Sequence, residues 1–394
     1  MKKLIIPLVF ALAGSGFVTF SYLDTFVIAK EYNIDLSGDS NFSFSFAELS
    51  EESKASSSSI SSKSSGGSIS NSSKSSSSII SSNTSTQSGI SSESTSNVEP
   101  PVEGKYYEDL TKEQIAALFT EEVVFEAKKH YSDPDIYIDI TTERFQDYCN
   151  YYAADIRIKS LAYLKAGLAL RNGKPGENIT AKTSELCKKY KGILAIDGDT
   201  YGSQTGGYVV RNGVTIRSSR NLRRSKPEDL AIYADGTFEI FNEREHTLDD
   251  IVSKGAYHVF SFGPGLVNDG KITVGKSEEV GTAATQNRNQ RCSIGIISPL
   301  HYLFLVSDGR IKSSPGLSLY QIAQIMQSKH CLYAYNFDGG GSATMYMDDG
   351  TGDANGNGAL VNYCTQELVK TNNLPEAPKI EERAVSDIVY IGKE

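Results

Sequence analysis

Tryptophan is absent from this 394-residue chain, cysteine is scarce, and no tract of basic residues occurs. Each shortage narrows the field. The five cysteines, Cys149, Cys187, Cys292, Cys331 and Cys364, nowhere fall in C-x-x-C spacing, so there is no zinc-ribbon or thioredoxin-like motif. They read as scattered small core residues, and their odd number leaves at least one thiol unpaired. A net charge of −9 without a basic run gives no footing for nucleic acid. It also argues against attraction to an anionic membrane surface. No residue pattern calls for a cofactor, and a divalent cation is left open without being indicated. Against these absences stand 22 Tyr and 16 Phe. Tyr-rich surfaces suit polar ligands, because the ring packs while the hydroxyl bonds.

The composition changes sharply along the chain. Lys2 and Lys3 precede 20 uncharged residues, Leu4 to Leu23. That is the length of a membrane-spanning helix, and the two lysines favour an inside amino terminus. The small-x-small pattern at Ala11-Leu12-Ala13 fits a cleaved signal peptide, but the apolar run continues ten residues beyond it. Residues 1–23 are therefore expected to be a signal anchor, placing the rest of a single-pass membrane protein outside the cell. Residues 24–100 read as a spacer, with 25 serines between Glu51 and Pro100. Such a segment cannot bury enough apolar surface to offset its ordering entropy. Residues 101–394 are the expected folded domain.

Within that domain the strongest local signal is Asn336-Phe337-Asp338-Gly339-Gly340-Gly341-Ser342. The apolar run Cys331 to Tyr335 leads into it and reads as a buried strand. Three consecutive glycines bury almost nothing, but they permit positive φ and close approach of the backbone to a ligand. Their N–H groups could form an anion nest beside the Asp338 carboxylate. A flexible turn, or an oxygen-ligand loop for a cation, is the plainer reading.

Other elements follow by pattern. Thr111 to Gln114 is a capping box, and apolar spacing predicts a helix running to about His130. Strands are expected at Ile136–Ile140, Tyr152–Ile158, Gly192–Ile196, Ala256–Phe262, Cys292–Ile297, Tyr302–Val306 and Ile388–Ile391. Leu161 to Leu170 is structured but of undetermined type. Arg211-Asn212-Gly213 and Asp235-Gly236 mark hairpins. Helices are expected at Thr183–Tyr190, Thr247–Lys254 and Leu317–Gln327. The fold class is α+β, with a mixed, largely antiparallel sheet and flanking helices. Asn178-Ile179-Thr180 matches a glycosylation sequon and is given no role.

Several strand ends carry carboxylates beside glycines, namely Asp197, Asp199, Asp308 and Asp338, and Arg211, Arg291, Arg310 and Arg383 sit at turns or strand starts. Paired carboxylates are what glycosidic cleavage uses. Guanidinium forks suit phosphate oxygens. Together they suggest a sugar-phosphate substrate.

On these residues the chain resembles the phosphodiester glycosidases related to the lysosomal uncovering enzyme, whose bacterial members are often labelled exopolysaccharide biosynthesis proteins. The resemblance rests on Ala195–Asp199, Phe262–Leu266, Arg291–Ile296, Val306–Arg310, Gly316–Ala323, Asn336–Thr344 and Glu382–Val385, in family order. Asp197 stands where the family commonly has Asn, and Phe337 where it has Leu. The resemblance implies hydrolysis of a glycosyl–phosphate diester in a cell-surface or exopolysaccharide-related substrate. Asp338 is the first catalytic candidate and Asp197 the second. Gly339, Gly340, Gly341 and Ser342 would bind the phosphate, Arg291 and Arg383 would neutralise it, and Asp308 and Arg310 complete the expected substrate-binding set. The rival is a non-catalytic module binding wall polysaccharide or a teichoic-type polymer.

Overall fold

The computed structural model describes residues 110–278, 288–352, 358–365, 374–376 and 379–394. The expected anchor and spacer lie outside the described residues. Among the described residues no helix is long and apolar enough to cross a membrane.

Among the described residues every strand pairing is antiparallel, and the strands form three sheets. The expectation of a mixed sheet is corrected accordingly. The largest sheet has nine strands, centred on Cys149–Ile158, His301–Ser307, Cys292–Ser298 and Tyr333–Asn336. A five-stranded sheet carries Leu194–Asp197 at its middle, flanked by Met345–Met347 and Asp387–Ile391. A second five-stranded sheet runs Phe238–Asn242, Glu228–Tyr233, Ala256–Phe260, Val209–Arg211, Val214–Arg217. The hairpin at Asn212-Gly213 closes as its residues require, with φ of 52° and 76° at the two turn positions.

One core joins the sheets. Ile156, Phe304, Ile294, Tyr335, Ile196, Met345, Phe260 and Phe337 belong to a single buried cluster. The helix Leu319–Ser328 starts on a Ser318–Gln321 capping box and buries Leu319, Ile322, Ala323, Ile325 and Met326. Its apolar stripe covers a second cluster with Leu266, Val267, Leu303 and Leu305. All five cysteines are buried free thiols.

The amino-terminal helix differs from expectation. It spans only Lys112–Ala116, and Val124–Glu126 pairs instead with His130–Ser132. The β-branched pair Val123-Val124 disfavours helix, and Lys128 at φ 68° closes the hairpin that replaces it.

Candidate active site

Two strands from different sheets end side by side. Leu194–Asp197 runs into Gly198, Tyr333–Asn336 runs into Asp338, and the Asp338 N–H donates to the Gly198 carbonyl at 3.2 Å. This junction sets the floor of a cavity of about 790 Å³. Its lining includes Thr200, Asp338, Ser342 and Arg383.

Asp338 is held by four donors. Its Oδ2 accepts from Thr200 Oγ1 at 2.7 Å, Ser342 Oγ at 2.7 Å and Arg383 Nη2 at 2.8 Å, while Oδ1 accepts from the Gly339 N–H at 2.8 Å. Arg383 also donates from Nε to Ser342 Oγ at 2.7 Å and from Nη2 to the Gly339 carbonyl at 3.1 Å. Its Nη1 takes no partner among the described residues, and the side chain is half-buried at the cavity. The carboxylate is thus fixed in orientation, with acceptor capacity left on Oδ1 and a donor left on Arg383.

Two of the three glycine N–H groups are committed to acceptors of the protein itself. The Gly339 N–H is spent on Asp338, and the Gly340 N–H on the Gln290 carbonyl at 2.9 Å. A Cβ on Gly339 would stand 2.8 Å from that same carbonyl. Gly340 adopts φ +62°, and a Cβ there would stand 2.5 Å from Arg310 Nη2. The triplet lets the turn lie directly on Gln290 and Arg310, a packing demand that its small size conceals in sequence.

Arg310 therefore lies beneath the turn. Its Nε donates to Asn289 Oδ1 at 3.0 Å and its Nη1 to the Thr365 carbonyl at 3.4 Å. Burial lowers its pKa, reinforced by the neighbouring charge of Arg383. Arg291 is buried, with Nε on the Leu317 carbonyl at 2.9 Å, and does not line the cavity. Asp308 is also away from it, bonded by the Tyr363 N–H at 2.9 Å, Tyr152 Oη at 3.2 Å and Asn150 Nδ2 at 3.3 Å. Burial pushes its pKa up to about 6.

Asp197 is brought close to Asp338 but sits behind the cavity wall. It is fully buried, with Oδ1 accepting the Thr344 N–H at 3.1 Å and Oδ2 without a hydrogen-bond partner among the described residues. Burial raises its pKa well above the carboxylate range, and the charge of Asp338 adds to the shift. It is suited to hold a proton, not to face solvent as an anion.

Under the Asp197–Tyr201 turn lies a buried ionic cluster. Arg211 Nη2 contacts Asp199 Oδ1 at 2.6 Å and Asp387 Oδ2 at 2.9 Å, and all three side chains are essentially inaccessible. The guanidinium stacks over Phe260, 3.9 Å from the ring centre. Burial, and then the charge of Asp199, raises the pKa of Asp387 despite the arginine. Asp199 Oδ2 also accepts the Ser261 N–H at 2.7 Å. The cluster fixes Thr200, at φ 56°, from below. The sequence reading did not single out Asp387, which directly precedes the expected last strand Ile388–Ile391.

The sequence reading also missed Asn178 and Thr180, which line the cavity and belong to the sequon given no role. The stretch Asn221 to Lys226 was missed as well, because it precedes a strand without any glycine–carboxylate mark. Among the described residues no group of three or more His, Cys, Asp or Glu side chains is arranged to hold a metal ion.

Comparison with known proteins bears on this site. The profile of a family described as phosphodiester glycosidase matches residues 190–392, just over half of the chain. The catalytic domain of zebrafish N-acetylglucosamine-1-phosphodiester α-N-acetylglucosaminidase, auto-inhibited by its pro-peptide, superposes with a TM-score of 0.50 at 18% identity. That superposition covers 74% of this chain and 96% of the zebrafish one. A hypothetical protein from Synechocystis aligns at TM-score 0.40 and 13% identity, over 66% of this chain and 62% of its own. By sequence, the SPβ prophage-derived uncharacterized protein YomE of Bacillus subtilis is 29% identical over 161 residues, 40% of this chain. The match spans only 24% of YomE. The matched region contains Asp197, Arg211, Asp338, Arg383 and Asp387, and on that match the chain belongs to the phosphodiester glycosidase family.

Proposed function

We propose that this protein hydrolyses a glycosyl–phosphate diester, with Asp338 as the carboxylate that works on the sugar. The observation that carries the reading is the fixed Asp338 carboxylate at the cavity, held by Thr200, Ser342 and a half-buried Arg383. Water adds its oxygen to the anomeric carbon, the C1–O bond breaks, and the departing phosphate becomes a monoester. A sugar leaving group requires a proton from an acid as the bond breaks. A phosphate leaves as a stable anion, its second pKa being about 6. One working carboxylate then suffices, as nucleophile, base or electrostatic partner of the sugar cation. Arg383 Nη1 would bind the phosphate oxygens, which suits a planar guanidinium. Asp197 would act through Asp338 as a buried, proton-bearing neighbour.

The substrate would be a cell-surface polymer or its precursor. The uncharged run Leu4–Leu23 supports a membrane-anchored, extracellular placement, with the serine-rich segment as spacer.

The full-length chain should release reducing sugar from at least one member of a panel of aryl, alkyl and nucleotide glycosyl phosphodiesters. Retention of polymer without release of sugar from any member would favour a binding module instead.

A further inference from the structure

We propose that the cavity wall around residues 221–226 is a second anion subsite, receiving a phosphate additional to the scissile one. The inference rests on the proposed hydrolase reading, and deepens it by assigning the substrate at least two phosphate groups.

The wall is built rigidly. Arg224 Nη2 donates to Asp229 Oδ1 at 2.6 Å, Glu243 Oε1 at 2.8 Å and Ser261 Oγ at 3.0 Å, while Nη1 donates to the Glu228 and Phe262 carbonyls at 3.0 and 3.1 Å. Both carboxylates are fully buried. The Asn221 N–H donates to the other oxygen of Glu243. Arg244 Nη2 adds bonds to the Leu222 and Arg224 carbonyls at 3.4 and 3.3 Å. With so many anchors on either side, the backbone of Arg223 is held in place at the cavity wall.

Charge distinguishes the lining side chains. Arg383 is offset by Asp338 at 2.8 Å, Arg224 by Asp229 and Glu243, and Lys226 by Glu278 at 2.9 Å. Arg223 is exposed, lines the cavity, and makes no ion pair or hydrogen bond among the described residues. It is the lining cation whose charge nothing described balances. A volume of about 790 Å³ has room for a sugar, its phosphate and a further group. Asn221 and Ser225 supply neutral polar groups beside Arg223, as phosphate oxygens require.

Calorimetry on the full-length protein tests this without turnover, using glycerol 3-phosphate, glycerol 1,3-bisphosphate and inorganic pyrophosphate. At least one doubly phosphorylated ligand should bind about tenfold more tightly than glycerol 3-phosphate, the worth of one well-placed charged contact. Preference for the bisphosphate points to a spaced phosphodiester polymer, and preference for pyrophosphate to a nucleoside diphosphate sugar. Arg223→Ala should abolish the gain and leave the melting temperature in place. Equal affinity for all three ligands, or a gain that survives Arg223→Ala, overturns the subsite. Release of sugar from the diester panel is read separately. Its failure would overturn hydrolysis while the binding ratios still decide the subsite.

Discussion

Thr200 Oγ1 donates to Asp338 Oδ2 at 2.7 Å, joining two turns that lie 138 residues apart in sequence. The bond ties the end of one sheet to the end of another at the point where the proposed chemistry occurs. Thr200→Val keeps the branched shape while removing the donor. A hydrogen bond to a charged group contributes about 1.5–3 kcal/mol. Loss of that bond should lower the melting temperature measurably, and sugar release should fall as well, because Asp338 loses one of the three side-chain donors that fix its carboxylate.

The cluster beneath Thr200 should be costly to break. Arg211→Met leaves Asp199 and Asp387 buried together without their cation. Removing one partner of a buried ion pair costs about 3–5 kcal/mol. Urea unfolding should show a loss of that size. A variant unfolding at the wild-type midpoint would mean that the cluster is not needed to hold the turn.

Gly198 is expected to be intolerant for a steric reason. A Cβ there would stand 2.5 Å from Asp387 Oδ2, which Arg211 fixes in place. Gly198→Ala should destabilise the fold by about 1–3 kcal/mol, the usual cost of overpacking. Chemical denaturation measures it directly.

Asp308 makes a prediction about pH. Its folded-state pKa is raised to about 6 from an ordinary 3.8, so the folded protein holds this proton more tightly than the unfolded chain. The resulting stabilisation is full below pH 3.8 and is lost as pH rises towards 6. The shift corresponds to about 3 kcal/mol at most, at 1.36 kcal/mol per unit. Asp308→Asn should flatten the stability profile between pH 4 and 6, whatever the amide nitrogen costs by facing a donor at Tyr363, Tyr152 or Asn150. An unchanged profile would contradict the assignment.

Much of this arrangement was legible in the sequence, and the exceptions have physical causes. Strands such as Cys292–Ser298 and His301–Ser307 announced themselves because they are buried on both faces and mostly apolar. The hairpin at Asn212-Gly213 was legible because positive φ restricts the residues that can close it. Asp338, Ser342 and Arg383 came together as a set. Arg291 did not join them, because a buried arginine satisfying the Leu317 carbonyl has the same local sequence signature as one facing phosphate. The short edge strands, such as Val124–Glu126, carry too few residues for a period to show. The Arg211–Asp199–Asp387 cluster depends on partners up to 176 residues apart, which no local pattern encodes.

The central claim is that the Asp338 charge performs chemistry. Asp338→Asn preserves the shape and most hydrogen bonds of the side chain while removing its charge and any proton transfer. Acid–base participation alone is worth roughly 10²–10⁴-fold in rate. The decisive measurement is sugar release by Asp338→Asn and by the wild type on the same diester, with melting temperatures recorded for both. The account predicts a loss of at least a hundredfold in turnover at a melting temperature close to wild type. Turnover equal to wild type would contradict it and remove Asp338 from the mechanism.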